Sequence, residues 1–328
     1  MKIGKIPESV LKRSVLKQIQ DTKQQEVVSG AAVGADCAIL AFPGEGQTGA
    51  CVQEAAVTGP FDVERLLHRV ANSLACAGAR PVAVLISLLL PESAQEPQIQ
   101  ELMGAARAVS KELSMAIAGG QTNVSRDITK AHMSVTGIGR TEGNRALLPG
   151  GAKPGQDIVL SKWVGLEGTA MLAAAGREKL AQRYPARLVE EAVSFGRYLS
   201  VLPEARAALQ FGVSALHDVS EGGIFRALWE VAESAGAGLT VDLKKIPIRQ
   251  ETVEVCEFFQ VNPYELLSCG SLIMVTQDGQ GLVEALEQLQ IPARVVGQIT
   301  GSRDRAIVNE EETRYLDRPR TEEIYKVL

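Results

Sequence analysis

The fold reading turns on VGADCAILAF, residues Val33 to Phe42. Gly34 permits a tight turn, Asp36 stands at its exit, and Cys37 to Phe42 is an apolar run of strand length. A lone acid at the mouth of a strand is compatible with a turn residue, a cap or a metal ligand. What separates these is whether Asp36 has partners elsewhere in the chain. A metal–nucleotide site needs several oxygen ligands around one ion; a plain strand needs none.

Two further glycine turns bear on that question. Ala118-Gly119-Gly120-Gln121-Thr122 reads as a strand end running into a loop. HDVSEGGIFRALWE, His217 to Glu230, places Asp218 just before Ser220-Glu221-Gly222-Gly223 at a helix start. Paired glycines expose backbone N–H groups, and a helix N-terminus favours anions. An Asp beside such a turn is placed to hold Mg²⁺ against phosphate. Gly-Gly is also ordinary turn chemistry, and no P-loop pattern GxxxxGK[ST] is present.

Working outward, LLPGGAKPGQD (Leu147 to Asp157) clusters prolines and glycines and divides the chain into two mixed halves, residues 1–150 and 151–328. In the first half, a helix is expected over 7–20 and strands over 36–42 and 50–57. Asp62 is placed to cap a helix with Val63, Leu66, Leu67, Val70 and Leu74 on one face, stopped at Gly78. A buried strand follows over Pro81 to Pro91. Next come a helix through Ile99 to Leu113, a short strand over Met115 to Ala118, and a strand over 131–139. In the second half, strands are expected at 157–161, 238–242, 271–276 and 293–299. Helices are expected near 167–176, over 187–210 with a bend at Pro203, after Ser220, and over 281–290. The class is α+β with mixed or antiparallel sheets.

Hydrophobic residues make up 45% of the 328 and charged residues 22%, which allows a sizeable core. The net charge of −5 comes with no basic block, which argues against nucleic acid as the partner. No apolar run reaches the ~18–20 residues of a membrane span. MKIGKIPESVLKRSVLKQI has no apolar signal core, so the expected location is cytoplasmic. The five cysteines form no CxxC pair and read as buried, reduced thiols.

Five segments occur in a fixed order: VGADCAIL, ANSLACAGARP, AIAGGQT, GAKPGQDIVLSKWVGLEGTAML and ALHDVSEGGIFRALWEVAESAGAGL. Together they resemble the aminoimidazole ribonucleotide synthetase (PurM-like) superfamily, across essentially the whole chain. GKIPESVLKRSVL and RYLDRPRTEEIYKVL look most like its HypE-like, hydrogenase-maturation branch. The resemblance implies a two-domain α+β architecture. The N-terminal ATP-binding domain would close a shared β-barrel with its mate in a homodimer, and a C-terminal α+β domain would follow. It implies ATP near Gly34, Asn72, Gly119, Gly120, Gln121, Thr122, Gly222 and Gly223. It implies Mg²⁺ on aspartates, and a maturation partner protein.

The sequence departs from that pattern at the acids. The first turn usually reads G-[DE]-D; here it is Gly34-Ala35-Asp36. The following strand usually ends in Asp, matched here by Glu54. N-D becomes Asn72-Ser73, and G-G-D-T becomes Gly119-Gly120-Gln121-Thr122. Metal binding is therefore assigned to Asp36, Glu54 and Asp218, with Gln121 and Asn72 as neutral supports, and Mg²⁺ is expected to bind weakly or not at all. HypE uses a C-terminal cysteine as acceptor, whereas the last cysteine here is Cys269. The catalytic residues and the acceptor stay unassigned. Two readings follow. One is a HypE-like binder of ATP or a phosphate ligand with a thinned metal site, activating a small acceptor. The other is a catalytically degenerate homologue serving as a dimeric scaffold or ligand sensor.

Overall fold

The computed structural model describes residues 7–22, 24–41, 46–142, 146–148, 150–318 and 321–328. Phe42 and Pro149, which figure in the strand and linker expected above, lie outside them. The chain forms two compact units. One is Gln25–Gly30 with Asp36–Ala146, here the N-terminal unit. The other is Leu147–Leu328 joined by Met1–Gln24 and Ala31–Ala35, here the C-terminal unit.

The helix expected over 7–20 is α-helical only across α1 (Glu8–Val10). It continues as a π turn over Leu11–Val15 and a 3₁₀ segment over Leu16–Thr22. These turns belong to the C-terminal unit: Glu8 accepts from Trp229 Nε1 at 2.9 Å, and Lys12 pairs with Glu8 and Glu233 at 2.6 and 2.5 Å.

The N-terminal unit runs β1 (Val27–Ser29), β2 (Ala38–Ala41), β3 (Gln47–Ala56), α2 (Pro60–Cys76), β4 (Ala79–Pro91), α3 (Glu96–Glu112), β5 (Ala116–Ser125) and β6 (His132–Thr141). Its sheet has the order β1-β2-β3-β6-β4-β5 and is antiparallel except where β4 meets β5. Helix α2 covers one face because Val63, Leu66, Leu67, Val70 and Leu74 recur at helical spacing and are buried. Glycine lets it come close: a Cβ on Gly137 of β6 would stand 2.3 Å from Val70 Cγ1. Asp62 lies inside the first turn of α2 and accepts from Thr58 N at 2.7 Å, so it ties the helix back to the preceding loop.

The expected loop after Ala118 is not there. Gly119, Gly120, Gln121 and Thr122 lie inside β5, paired with Leu85 to Leu88 of β4. The physical reason is local. Gly120 has φ 153°, and a Cβ there would fall 1.9 Å from Ile86 O, so this glycine serves strand pairing, not a turn.

The C-terminal unit continues with β7 (Asp157–Ser161), α4 (Leu166–Ala175), α5 (Arg177–Ala181), α6 (Ala186–Val193), α7 (Leu202–Phe211), β8 (Ala215–Val219), α8 (Gly223–Ala235) and β9 (Gly238–Asp242). After these come α9 (Gln250–Phe259), β10 (Ser271–Thr276), α10 (Gly279–Glu287), β11 (Ala293–Thr300), β12 (Arg305–Asn309) and β13 (Glu312–Tyr315). The sheet order is β13-β12-β9-β11-β7-β10-β8, with only β12 and β9 parallel. Ile224, Leu228 and Val231 of α8 join Ile158, Leu239 and Ile273 of the strands in one core. The helix expected over 187–210 is divided: α6 passes into a 3₁₀ turn over Ser194–Tyr198, and α7 begins afresh with Pro203 in its first turn. The architecture is thus α+β in two units with two mixed sheets, and among the described residues neither sheet closes into a barrel.

Candidate functional site

The strand–turn–helix from His217 to Glu230 is the most developed of the three glycine turns. β8 is the last strand of its sheet, and its Asp218, paired in register with Leu272, is buried. Gly222 and Gly223 follow with φ +80° and +61°, conformations that glycine adopts without strain. Gly223 is fixed by packing. A Cβ there would lie 2.5 Å from Tyr264 O and 2.8 Å from Leu266 O, and Phe225 N donates to Tyr264 O at 3.2 Å. The loop 262–268 therefore clamps the first turn of α8.

Of the N–H groups expected to await an anion, Gly223 N donates to Ser220 O at 3.2 Å and Gly222 N already has a carboxyl partner. Glu322, near the end of the sequence, places one carboxylate oxygen against Gly222 N and the other against Leu267 N, the latter at 2.9 Å. The neighbouring Glu323 accepts from Asn262 N at 2.9 Å. No pattern in the sequence announces this contact, since Glu322 and Gly222 are 100 residues apart.

Burial pushes the Glu322 carboxyl up to about 7, against the opposing pull of the Gly222 and Leu267 N–H groups. Because its folded value lies above the free-acid value of 4.5, the stability it contributes is full below that value and is lost as pH rises through about 7. The difference corresponds to roughly 3 kcal/mol. Thermal unfolding between pH 4.5 and 7.5 should show this decline, and Glu322→Gln should flatten it. An unchanged slope in the variant would refute the assignment.

The remaining expected residues are dispersed. In the N-terminal unit, a carboxylate oxygen of Asp36 and the Cys76 sulfur come within 4.8 Å. Asn72 and Ser73 are buried on α2, where Ser73 Oγ accepts from Gln53 Nε2 at 3.4 Å and Ser73 O from the Cys37 thiol at 3.1 Å. Glu54 is on the opposite face of the sheet, exposed and 3.6 Å from His132 Nε2. Gln121 shares that open face: Glu54, Ser134, Ser87 and Gln121 lie in register across four strands. Three strand spacings separate Glu54 from Gln121, about 14 Å. Within one unit, then, Glu54 and Gln121 do not support one ion with Asn72: the sheet lies between them. A hard divalent cation wants clustered oxygens. The Asp36–Cys76 pair offers one carboxylate and a soft thiol, so among the described residues the N-terminal unit alone does not present a Mg²⁺ donor set. Gly34 lies in the C-terminal unit with φ +74°, where a Cβ would stand 2.6 Å from Glu230 O. It too is held by close packing.

With this geometry in hand, comparison with known proteins gives the family. Residues 34–141 match the family model "AIR synthase related protein, N-terminal domain", and residues 153–309 match "AIR synthase related protein, C-terminal domain". The chain belongs to the AIR synthase related (PurM-like) proteins, and its affinities lie with the HypE-like hydrogenase-maturation branch. It is 27% identical over 245 residues to a putative hydrogenase expression/formation protein of Methanocaldococcus jannaschii, covering 73% of this chain and 70% of that protein. It is 24% identical over 211 residues to carbamoyl dehydratase HypE of Rhodobacter capsulatus, covering 64% of this chain and only 60% of the relative. Among solved structures, HypE in a HypE–HypF complex superposes with TM-score 0.76 at 18% identity, covering 95% of this chain and 100% of the other. HypE in complex with ATP superposes with TM-score 0.68 at 18% identity, covering 98% and 97%. At these identities the structural likeness is one of fold.

Proposed function

We propose that this chain is a HypE-like protein that binds ATP or a related phosphate ligand and uses it to activate a small acceptor. The observation that carries the reading is the grip of Gly222 N–H and Leu267 N–H on a carboxylate at the start of α8. Backbone donors at a helix N-terminus recognise an oxyanion of a ligand by the same chemistry. Support also comes from HypE, a relative of similar fold, having been solved with ATP. Gly119, Gly120, Gln121 and Thr122 on β5 are proposed as the N-terminal unit's contribution to the ligand; Asn72, buried on α2 on the other side of the sheet from Gln121, would not reach the same ligand within one chain.

Mg²⁺ would assist only weakly. Asp36 and Asp218 are the acids proposed for it, and Glu54 is a lesser candidate because its carboxylate pairs with His132 on the open sheet face. We further propose a cytoplasmic homodimer that completes a barrel from two copies of the N-terminal sheet. Helices α2 and α3 leave one face of that sheet bare, with Val52 61% and Leu85 40% exposed on it, and β5 is open along its length. A maturation partner protein is proposed by analogy with the HypE–HypF complex.

The test is calorimetry of ATP, ADP and inorganic phosphate, each with and without Mg²⁺. ATP should bind with a Kd of roughly micromolar to millimolar, tightened less than about tenfold by Mg²⁺. A hundredfold Mg²⁺ dependence would show that the metal site is intact. The scaffold reading expects no heat from any ligand.

A further inference from the structure

The geometry points to the segment Thr321–Leu328 as a self-ligand: its Glu322 carboxylate occupies the anion seat at the N-terminus of α8, and a phosphate-bearing ligand must displace it to bind there. The inference rests on the phosphate reading above and concerns how that site is controlled.

Four observations carry it. First, the contact is bidentate and buried: the two oxygens of Glu322 accept from Gly222 N and Leu267 N, and the residue is 5% exposed. A buried carboxyl is costly unless its oxygens are hydrogen-bonded, and here the seat supplies an N–H donor to each oxygen. Second, a cation stands beside the seat with capacity to spare. Arg226 is 8% exposed, and its Nε makes no hydrogen bond, with Glu230 Oε1 3.9 Å away. Its side chain folds over Gly222, since a Cβ there would lie 2.6 Å from Arg226 Cδ and 3.0 Å from Nε. A seat with two N–H donors and a neighbouring guanidinium suits a doubly charged phosphate better than the one carboxyl group that fills it.

Third, a pocket opens next to the seat. It is lined by Gly222, Phe225, Arg226, Leu316, Arg318 and Thr321, and also by Glu265 and Asp317. The pocket touches the helix turn on one side and the start of the tail on the other, which gives an incoming anion a way to the place where Glu322 sits. Fourth, the tail is a short segment held at a few named points. Ile324 enters a core with Leu172 and Val255, Glu323 caps Asn262 N, and Lys326 pairs with Glu323. Beyond these, Tyr325 and Leu328 are exposed. A short 3₁₀ turn anchored by Ile324, with Val327 packed against the same core, is small enough for an anion to displace.

The consequence is competition. In the parent, phosphate must displace a carboxylate whose effective concentration is high because it is tethered. Removing that carboxylate from the full chain should raise affinity for inorganic phosphate at least tenfold. Glu322→Ala is the direct variant. Glu322→Gln keeps the shape and one acceptor and should give an intermediate gain, so it serves if the alanine variant folds poorly.

Phosphate affinity is to be read by calorimetry on parent and variants. Amide hydrogen exchange at Gly222 and Leu267 should slow on adding phosphate to the variants, and those amides should already be slow in the ligand-free parent. Folded variants that bind phosphate no more tightly than the parent would overturn the inference. If the parent binds ATP while both variants leave every affinity unchanged, the nucleotide reading stands and the self-ligand falls. If no anion binds parent or variant, both fall.

Discussion

Leu85→Asp should turn a stable dimer into a monomer. Leu85 is 40% exposed on the uncovered face of the N-terminal sheet, in register with Thr136 on β6, which is itself opposite Val52 on β3. In an isolated chain a carboxylate there stays hydrated and costs little. Across a two-fold axis the same substitution enters the interface twice, and each copy must lose water against apolar neighbours. The expected penalty of several kcal/mol corresponds to roughly a thousandfold or greater loss of association. Light scattering at micromolar concentration should give twice the chain mass for the parent and a single chain mass for the variant. The parent interface should bury more than ~1,600 Å² in total. A monomeric parent, or a variant that still dimerises at the same concentration, would refute the proposed assembly.

Glu204→Ala should cost the C-terminal unit about 3–5 kcal/mol. Lys162 follows β7 with φ +53°, and its ammonium is held 2.7 Å from Glu204 Oε1 on α7. The same nitrogen donates to Tyr198 O at 3.0 Å and Ser200 O at 2.6 Å. Both side chains are nearly inaccessible to water, so removing the acid strands a charge among carbonyls. The melting temperature should fall by roughly 10 °C. Adding Lys162→Met to the same chain should recover part of the loss, because the penalty comes from the unpaired ion and not from the missing pair. A single variant that unfolds within about 1 kcal/mol of the parent would contradict this, as would a double variant less stable than the single one.

Much of the fold could be read before the structure because it rests on periodicity. The apolar face of α2, the strand of β4 and the docking face of α8 each bury residues whose spacing alone predicts burial. The failures have physical causes. AIAGGQT looks like a strand end because Gly-Gly usually turns. Here the chain stays extended at the edge of the sheet, and only the approach of Ile86 O explains the glycine. Pro203 looks like a bend in one long helix, but it starts a new one. The short strands β1 and β13 have too few residues to show a period. The family was legible as motif order, whereas the arrangement of the candidate residues was not. Asn72 and Gln121 looked like members of one ligand set, and the pleat of the sheet puts them on opposite sides. Glu322 had no signature at all, because the groups it satisfies are backbone amides distant in sequence.

The most direct measurement is amide hydrogen exchange across the chain during titration with ATP. Binding at the start of α8 should alter exchange in the turn 220–226 and the loop 262–268 together, and should speed it in 321–328 as Glu322 gives up its seat. ATP binding that leaves all three segments unchanged would contradict the placement, and silence toward ATP, ADP and inorganic phosphate alike would contradict the nucleotide reading itself.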